Sequence, residues 1–161
     1  MKPLKVYLDT SVLSFLFAED SPEFRRVTED FFGNYVRANR YDTFVSTVVL
    51  REIEKTSDAI KKNRMLEITR SCGLRILTFG EEANRLAAAY VAERVVPPRK
   101  LEDAQHIAIA TCHQMDILLS WNFRHLANIQ KQLAVRVVNE KNGYYYPLTM
   151  TNPMELLYEE D

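Results

Sequence analysis

Only two of the 161 residues are cysteine, Cys72 and Cys112, and no C-x-x-C pair joins them. That scarcity argues against a disulfide framework and against a structural zinc site, and it suits a reducing compartment in which both side chains are buried free thiols. Glycine is nearly as rare, with Gly33, Gly73, Gly80 and Gly143 the only four. They form neither a G-x-G-x-x-G after the first strand nor a G-x-x-x-x-G-K-[ST], so the backbone cradle of dinucleotide and P-loop proteins is missing. Gly73 and Gly80 instead fall where one element hands over to the next. No apolar run nears the ~20 residues of a membrane helix, and Met1-Lys2-Pro3-Leu4-Lys5-Val6 leads into a strand without an apolar leader. A cytoplasmic protein without membrane contact is expected. The net charge of −1 lacks the basic excess that usually announces a nucleic-acid binder. Basic residues are nevertheless bunched at Arg25-Arg26, Arg37, Arg40, Lys61-Lys62-Arg64 and Arg99-Lys100, while Glu159-Glu160-Asp161 places acid at the C-terminus.

What is present is ordinary globular material: 47% hydrophobic and 27% charged residues, enough for one core and a single domain over 1–161. Short apolar or β-branched runs predict strands at Leu4–Leu8, Tyr41–Ser46, Leu74–Phe79, Asp116–Ser120 and Ala134–Val138. Helical patterns fill the gaps at Ser11–Phe17, Pro22–Arg37, Thr47–Thr56, Ala59–Ser71, Glu81–Val95 and Glu102–Met115, with short helices after Asn122 and Pro153. The alternation predicts an α/β fold with right-handed crossovers and a parallel sheet covered on both faces.

Three carboxylates border apolar surface. Asp9 ends the apolar strand Val6-Tyr7-Leu8 and is followed by Thr10 and Ser11, at the edge where open parallel sheets place ligands. An N-cap explains this segment equally well. Glu52 shares a helix face with Val49, Ile53 and Thr56, so a cation or hydrogen-bond donors should await it; a buried salt bridge is one alternative. Asp103 opens a helix after Pro97-Pro98, at the margin of a stripe of Ala104, Ile107, Ala108 and Thr111, where the helix dipole alone favours an acid. Together the three suggest a shared site. Converging carboxylates repel one another unless divalent cations neutralise them, and oxygen ligands select Mg2+ or Mn2+ over zinc. On that basis Glu52→Gln should leave the metal-free fold as stable as before, or more so.

The segments Leu8-Asp9-Thr10-Ser11-Val12-Leu13, Val48-Val49-Leu50-Arg51-Glu52-Ile53, Asp103-Ala104-Gln105-His106-Ile107-Ala108 and Leu119-Ser120-Trp121-Asn122 resemble, in order and spacing, the four motifs of the PIN-domain family. The likeness runs over about 4–138, leaving 139–161 as a C-terminal extension. It implies a three-layer α/β/α sandwich and Mg2+- or Mn2+-dependent cleavage of single-stranded RNA, as in VapC-type toxins, with an antitoxin and a homodimer as partners. It also implies roles: Asp9 and Asp103 hold the metal, Glu52 completes the cluster and orients water, and Thr10 or Ser11 binds metal-bound water or phosphate. Ser120 is a further candidate for contact with substrate or support of the ligands, and His106, three residues after Asp103, either supports the ligands or buttresses the core. Asn122 stands where many members carry a fourth acid, which puts the second metal in question; it is also an ordinary N-cap for a helix at Phe123–Leu126.

Other readings compete. The haloacid-dehalogenase-like phosphatases also place an aspartate after the first strand, but their second aspartate would fall at Ser11. His106 and His113 share a face yet lack the H-x-x-x-H spacing of a zinc site. Tyr144-Tyr145-Tyr146 suits base stacking less well than packing or a dimer contact. A PIN-fold module that binds RNA or protein with weak or no catalysis is the stronger rival.

Overall fold

The computed structural model describes residues 2–157; the acidic stretch Glu159–Asp161 lies outside the described residues. Five parallel strands form one sheet in the order β3-β2-β1-β4-β5. They are β1 (Lys5–Leu8), β2 (Asp42–Ser46), β3 (Arg75–Leu77), β4 (Ile117–Leu119) and β5 (Thr149–Thr151). The helices are α1 (Thr10–Ser14), α2 (Pro22–Phe31), α3 (Thr47–Glu54), α4 (Ala59–Ser71), α5 (Glu81–Ala92), α6 (Leu101–Cys112) and α7 (Ile129–Lys141). From β1 the chain steps outward through β2 to β3, then crosses back to β4 and on to β5. Right-handed crossovers therefore lay α1–α4 on one face and α5–α7 on the other, the expected α/β/α sandwich.

The direction of winding reverses between β1 and β4, which open sheets use as a ligand crevice. Leu8 pairs with Leu119 and Tyr7 with Phe44. Asp9 and Ser120, each one residue beyond those strands, consequently emerge side by side at the carboxyl edge. Val6, Tyr7, Leu8, Leu118 and Leu119 are fully buried, so this edge rests on the centre of the core.

The fifth strand is a correction. Ala134–Val138 lies inside α7, and the strand is Thr149–Thr151 instead. In α7 Val135 and Val138 face the core while Leu133 and Val137 are exposed, so the β-branched run is one flank of an amphipathic helix and tertiary packing overrides strand propensity. Thr149-Met150-Thr151 is too short, between Pro147 and Asn152-Pro153, to stand out, yet Met150 is buried as a half-buried strand requires. The stretch after Asn122 is a hydrogen-bonded turn rather than a helix, and the one after Pro153 is a 3-10 turn at Pro153–Leu156. α2 runs on into a π-helical turn, Phe32–Val36. Gly73, at φ +62, takes the left-handed position that ends α4, where a side chain would be strained.

α6 also differs from expectation: every residue from Ala104 to Thr111 is buried, rather than one stripe. It is a central helix, so its polar residues must find partners inside the protein. The two cysteines are half-buried and free. Among the described residues no helix is long and apolar enough to cross a membrane.

Candidate active site

Asp9 is the N-cap of α1, its carboxylate accepting from the Val12 amide at 3.3 Å. It is only 4% exposed. Ser11 donates to Oδ1 and Ser120 to Oδ2, each at 2.5 Å. Ser11 Oγ accepts from the Trp121 amide at 2.9 Å, and Ser120 Oγ from the Asn122 amide at 2.9 Å. Asp9 is thus the cap of α1 and also stands at the carboxyl edge of the sheet. Burial pushes its carboxyl up, against the His106 charge and the two serine hydroxyls, with Glu52 adding to the rise.

Glu52 lies on α3 beside buried Val49 and Ile53, as its spacing implied. What awaits it is His106, whose Nε2 stands 2.5 Å from Oε1, together with the Thr10 hydroxyl, which donates to the same oxygen at 3.0 Å. Burial alone would raise the Glu52 carboxyl, but the hydrogen bond and charge of His106 outweigh it and hold it below the usual range. His106, 2% exposed, places Nδ1 2.6 Å from the Tyr7 hydroxyl, which lies 2.7 Å from Ser46 Oγ. Burial would lower the imidazole, yet Glu52, then Asp9 and Asp103, keep it raised. A relay therefore runs Ser46–Tyr7–His106–Glu52–Thr10 across β2, β1, α6, α3 and α1. Tyr7 and Ser46 were missed in the sequence, although a tyrosine inside an all-apolar strand needs a buried partner for its hydroxyl.

This partner reverses one expectation. Glu52 holds a cationic or donating neighbour in the metal-free fold, so Glu52→Gln removes a made interaction rather than a repulsion.

Asp103, in the first turn of α6, behaves differently. Its Oδ2 is buried and has no hydrogen-bond partner. Burial first, with Asp9 and Glu52 adding to it against His106 and Lys100, lifts its carboxyl to about 6. The three acids thus act on one another through a shared field. Among the described residues, however, no three His, Cys, Asp or Glu side chains stand close enough to make a ready-formed metal cage. In donor chemistry the site still fits a hard divalent cation: its acids offer carboxylate oxygens, and one of those oxygens is buried with nothing to satisfy it.

Asn122 caps the turn after β4, its Oδ1 accepting from the His125 amide at 3.0 Å. That bond orients the amide as a cap and leaves the oxygen a second lone pair. His113 bonds the Thr78 carbonyl at 3.2 Å, away from His106. Tyr144 donates to Glu82 and Tyr146 to Asp116, so both are pinned, whereas Tyr145 is exposed. Asp116 also accepts from the Lys5 amide at 2.8 Å, lashing the start of β1.

Beside the acids lies a groove of about 530 Å³ lined by Arg51, Lys55, Arg99 and Lys100 as well as Glu52, Glu102 and Asp103. Arg51 donates to Gln105 at 2.8 Å and Lys55 to Glu102 at 3.2 Å.

No family model matches the chain, and no curated protein does. Among solved structures, the chain is similar to a member of the VapBC family of toxin-antitoxin systems, VapBC-5 from Mycobacterium tuberculosis, at 16% identity over 93% of this chain and 99% of that one, with a TM-score of 0.49.

Proposed function

We propose that the chain is a Mg2+- or Mn2+-dependent ribonuclease that hydrolyses phosphodiester bonds of single-stranded RNA at the carboxyl edge between β1 and β4. The observation that carries this reading is the buried Asp103 oxygen without a partner, set in the field of Asp9 and Glu52. A carboxylate in that position is stabilised by a cation that the protein itself does not supply.

In this reading Asp9, Asp103 and Glu52 would hold the metal. When bound, it would neutralise the acids and lower the pKa of a coordinated water, which favours attack on phosphorus. The chain's own residues keep the geometry. Ser11 and Ser120 fix both oxygens of Asp9, and Thr10 with His106 fixes one oxygen of Glu52. Glu52, kept ionised by His106, is placed to orient water or take its proton. Tyr7, whose hydroxyl burial keeps protonated, holds the imidazole from behind. Asn122 contributes as a cap that shapes the edge.

The sequence resemblance extends the proposal to a toxin role with an antitoxin and a homodimer; a short neighbouring gene for a DNA-binding protein with a flexible tail would support the pairing. The direct test is cleavage of labelled single-stranded RNA in Mg2+ or Mn2+ against the same reaction in excess EDTA. Cleavage confined to the metal supports the proposal, and equal cleavage in EDTA ends it. RNA binding with no cleavage under either condition identifies the non-catalytic module.

A further inference from the structure

The acid edge has a basic neighbour. A second groove, of about 490 Å³, is lined by Arg94, Arg124, Lys131 and Phe123, among others, where the turn after β4 meets the start of α7. The groove beside Glu52 and Asp103 contributes Arg99 and Lys100. Lys100 joins the two, since its charge reaches both Asp103 and His125. Five cations with no carboxylate partner among the described residues thus line the two grooves; Lys131 is turned onto the Val95 carbonyl instead. The nearby acids are otherwise occupied, Glu102 by Lys55 at 3.2 Å and Glu93 by Lys141 at 2.7 Å. Four of these charges act on His125, whose imidazole is depressed by burial and then by Lys100, Arg124, Lys131 and Arg99. In a chain of net charge −1 such a concentration is local.

Phe123 supplies the second element. It is 40% exposed although its ring is backed by Phe24 and Trp121, each at 5.8 Å between centroids. Asn128 Nδ2 holds the turn by donating to the Phe123 and Arg124 carbonyls at 3.2 and 2.9 Å. A backed, partly open ring among cations without a carboxylate partner is the pairing that single-stranded nucleic acid requires: phosphates for the charges and an unstacked base for the ring.

We infer that Arg94, Arg99, Lys100, Arg124 and Lys131 form a track for the phosphates of single-stranded RNA, with Phe123 as a stacking platform for one base, leading the strand to the acid edge. The inference rests on the ribonuclease reading for the direction of the strand. It also assigns selectivity: a base must be unpaired to reach Phe123, so duplex RNA binds less well.

The test is fluorescence anisotropy of a short labelled single-stranded oligoribonucleotide with the full chain in EDTA, over a series of salt concentrations. Binding should weaken with salt. Arg99→Gln with Arg124→Gln should weaken it at least about tenfold and flatten the salt slope by about 0.7 for each phosphate no longer neutralised. Lys61→Gln with Arg70→Gln, on α4 across the sheet, should change nothing. Phe123→Leu, which keeps the packing, should cost roughly tenfold in affinity, and Phe123→Trp should restore it. Should the double variant melt early, Arg124→Gln alone carries the comparison. Equal weakening by the two pairs of charge substitutions, salt-independent binding, or binding of a polyglutamate peptide in preference to RNA would each overturn the inference. EDTA separates this result from the proposed activity. Patch-dependent binding by a protein that never cleaves would leave the track and remove the nuclease, whereas metal-dependent cleavage unaffected by the patch variants would do the reverse.

Discussion

Two buried polar networks in this molecule differ in a way that separates structure from chemistry. Where α5, α6 and α7 meet, Tyr90 donates to Asn139, Asn139 donates to Thr111 at 3.2 Å, and the Tyr90 and Thr111 hydroxyls lie 3.3 Å apart. That network is neutral and closed on itself. The relay from Ser46 through Tyr7 and His106 to Glu52 is charged, and beside it Asp103 keeps a buried oxygen unsatisfied. Buried polarity alone therefore marks neither site as functional. What sets the second apart is charge left incomplete, because an unmet buried carboxylate destabilises the fold unless a ligand arrives.

The sharpest way to break the comparison is to remove the acids. Asp9→Asn or Asp103→Asn should lower RNA cleavage in Mg2+ or Mn2+ by roughly a hundredfold or more while the fold persists. Tyr90→Phe should do the opposite, leaving cleavage per folded molecule unchanged while stability falls by roughly 1 to 3 kcal/mol as Asn139 loses its donor. Cleavage rates beside thermal melts read both; an inactive, stable Tyr90→Phe protein would erase the distinction.

Glu52→Gln sharpens it next. Weakening of the bond to His106 should destabilise the metal-free protein by roughly 1 to 3 kcal/mol. The pH window follows from the two shifts. Glu52, held low, stabilises above its unfolded value near 4.5 and loses this as pH falls through its depressed folded pKa. His106, held high, stabilises below 6.5 and loses this as pH rises through its raised folded pKa. The deficit of the variant should therefore peak between about pH 4.5 and 6.5, and melts in EDTA that show a constant deficit would leave the pair uncoupled.

Asp103 predicts the reverse sign. Its folded carboxyl is raised to about 6 from 3.8, so ionisation disfavours the fold and the penalty grows as pH rises through that window. In EDTA, Asp103→Asn should melt above the wild type at pH 8 by a few degrees, equivalent to roughly 1 to 2 kcal/mol after screening of a partly exposed group. The gap should narrow as pH falls and close below 3.8, where Asp103 is neutral in both the folded and the unfolded chain. A variant that melts lower at pH 8 would show that Asp103 already has a partner.

The smallest effect belongs to Asn122. Asparagine and aspartate cap about equally well, so Asn122→Asp should leave the metal-free melting temperature within a degree or two, roughly, of wild type. If the new charge faces the acids, cleavage will need less Mn2+. A Mn2+ titration that superimposes on the wild type would confine residue 122 to the cap it makes with His125.

The positions of β1, β2, β3 and β4 along the chain were legible because each falls in a short apolar or β-branched run, and the first and fourth of these runs ended in Asp9 and Ser120. Glu52 and Asp103 were legible as acids against apolar surface. Ala134–Val138 misled because a β-branched run on a helix flank has the composition of a strand, and only its packing shows the period. Thr149–Thr151 carried too few residues for any period at all.

The sequence by itself determined the alternation of strands and helices, the parallel sheet and the acids that border its carboxyl edge, since those depend on spacing within single elements. Only the tertiary structure decided that His106 and Tyr7 stand behind Glu52, that Asp103 is left unmet, and that Arg99, Lys100, Arg124 and Lys131 share one surface. Those groups come from elements distant along the chain, and hydrogen bonds and fields depend on distances in space that no periodicity encodes.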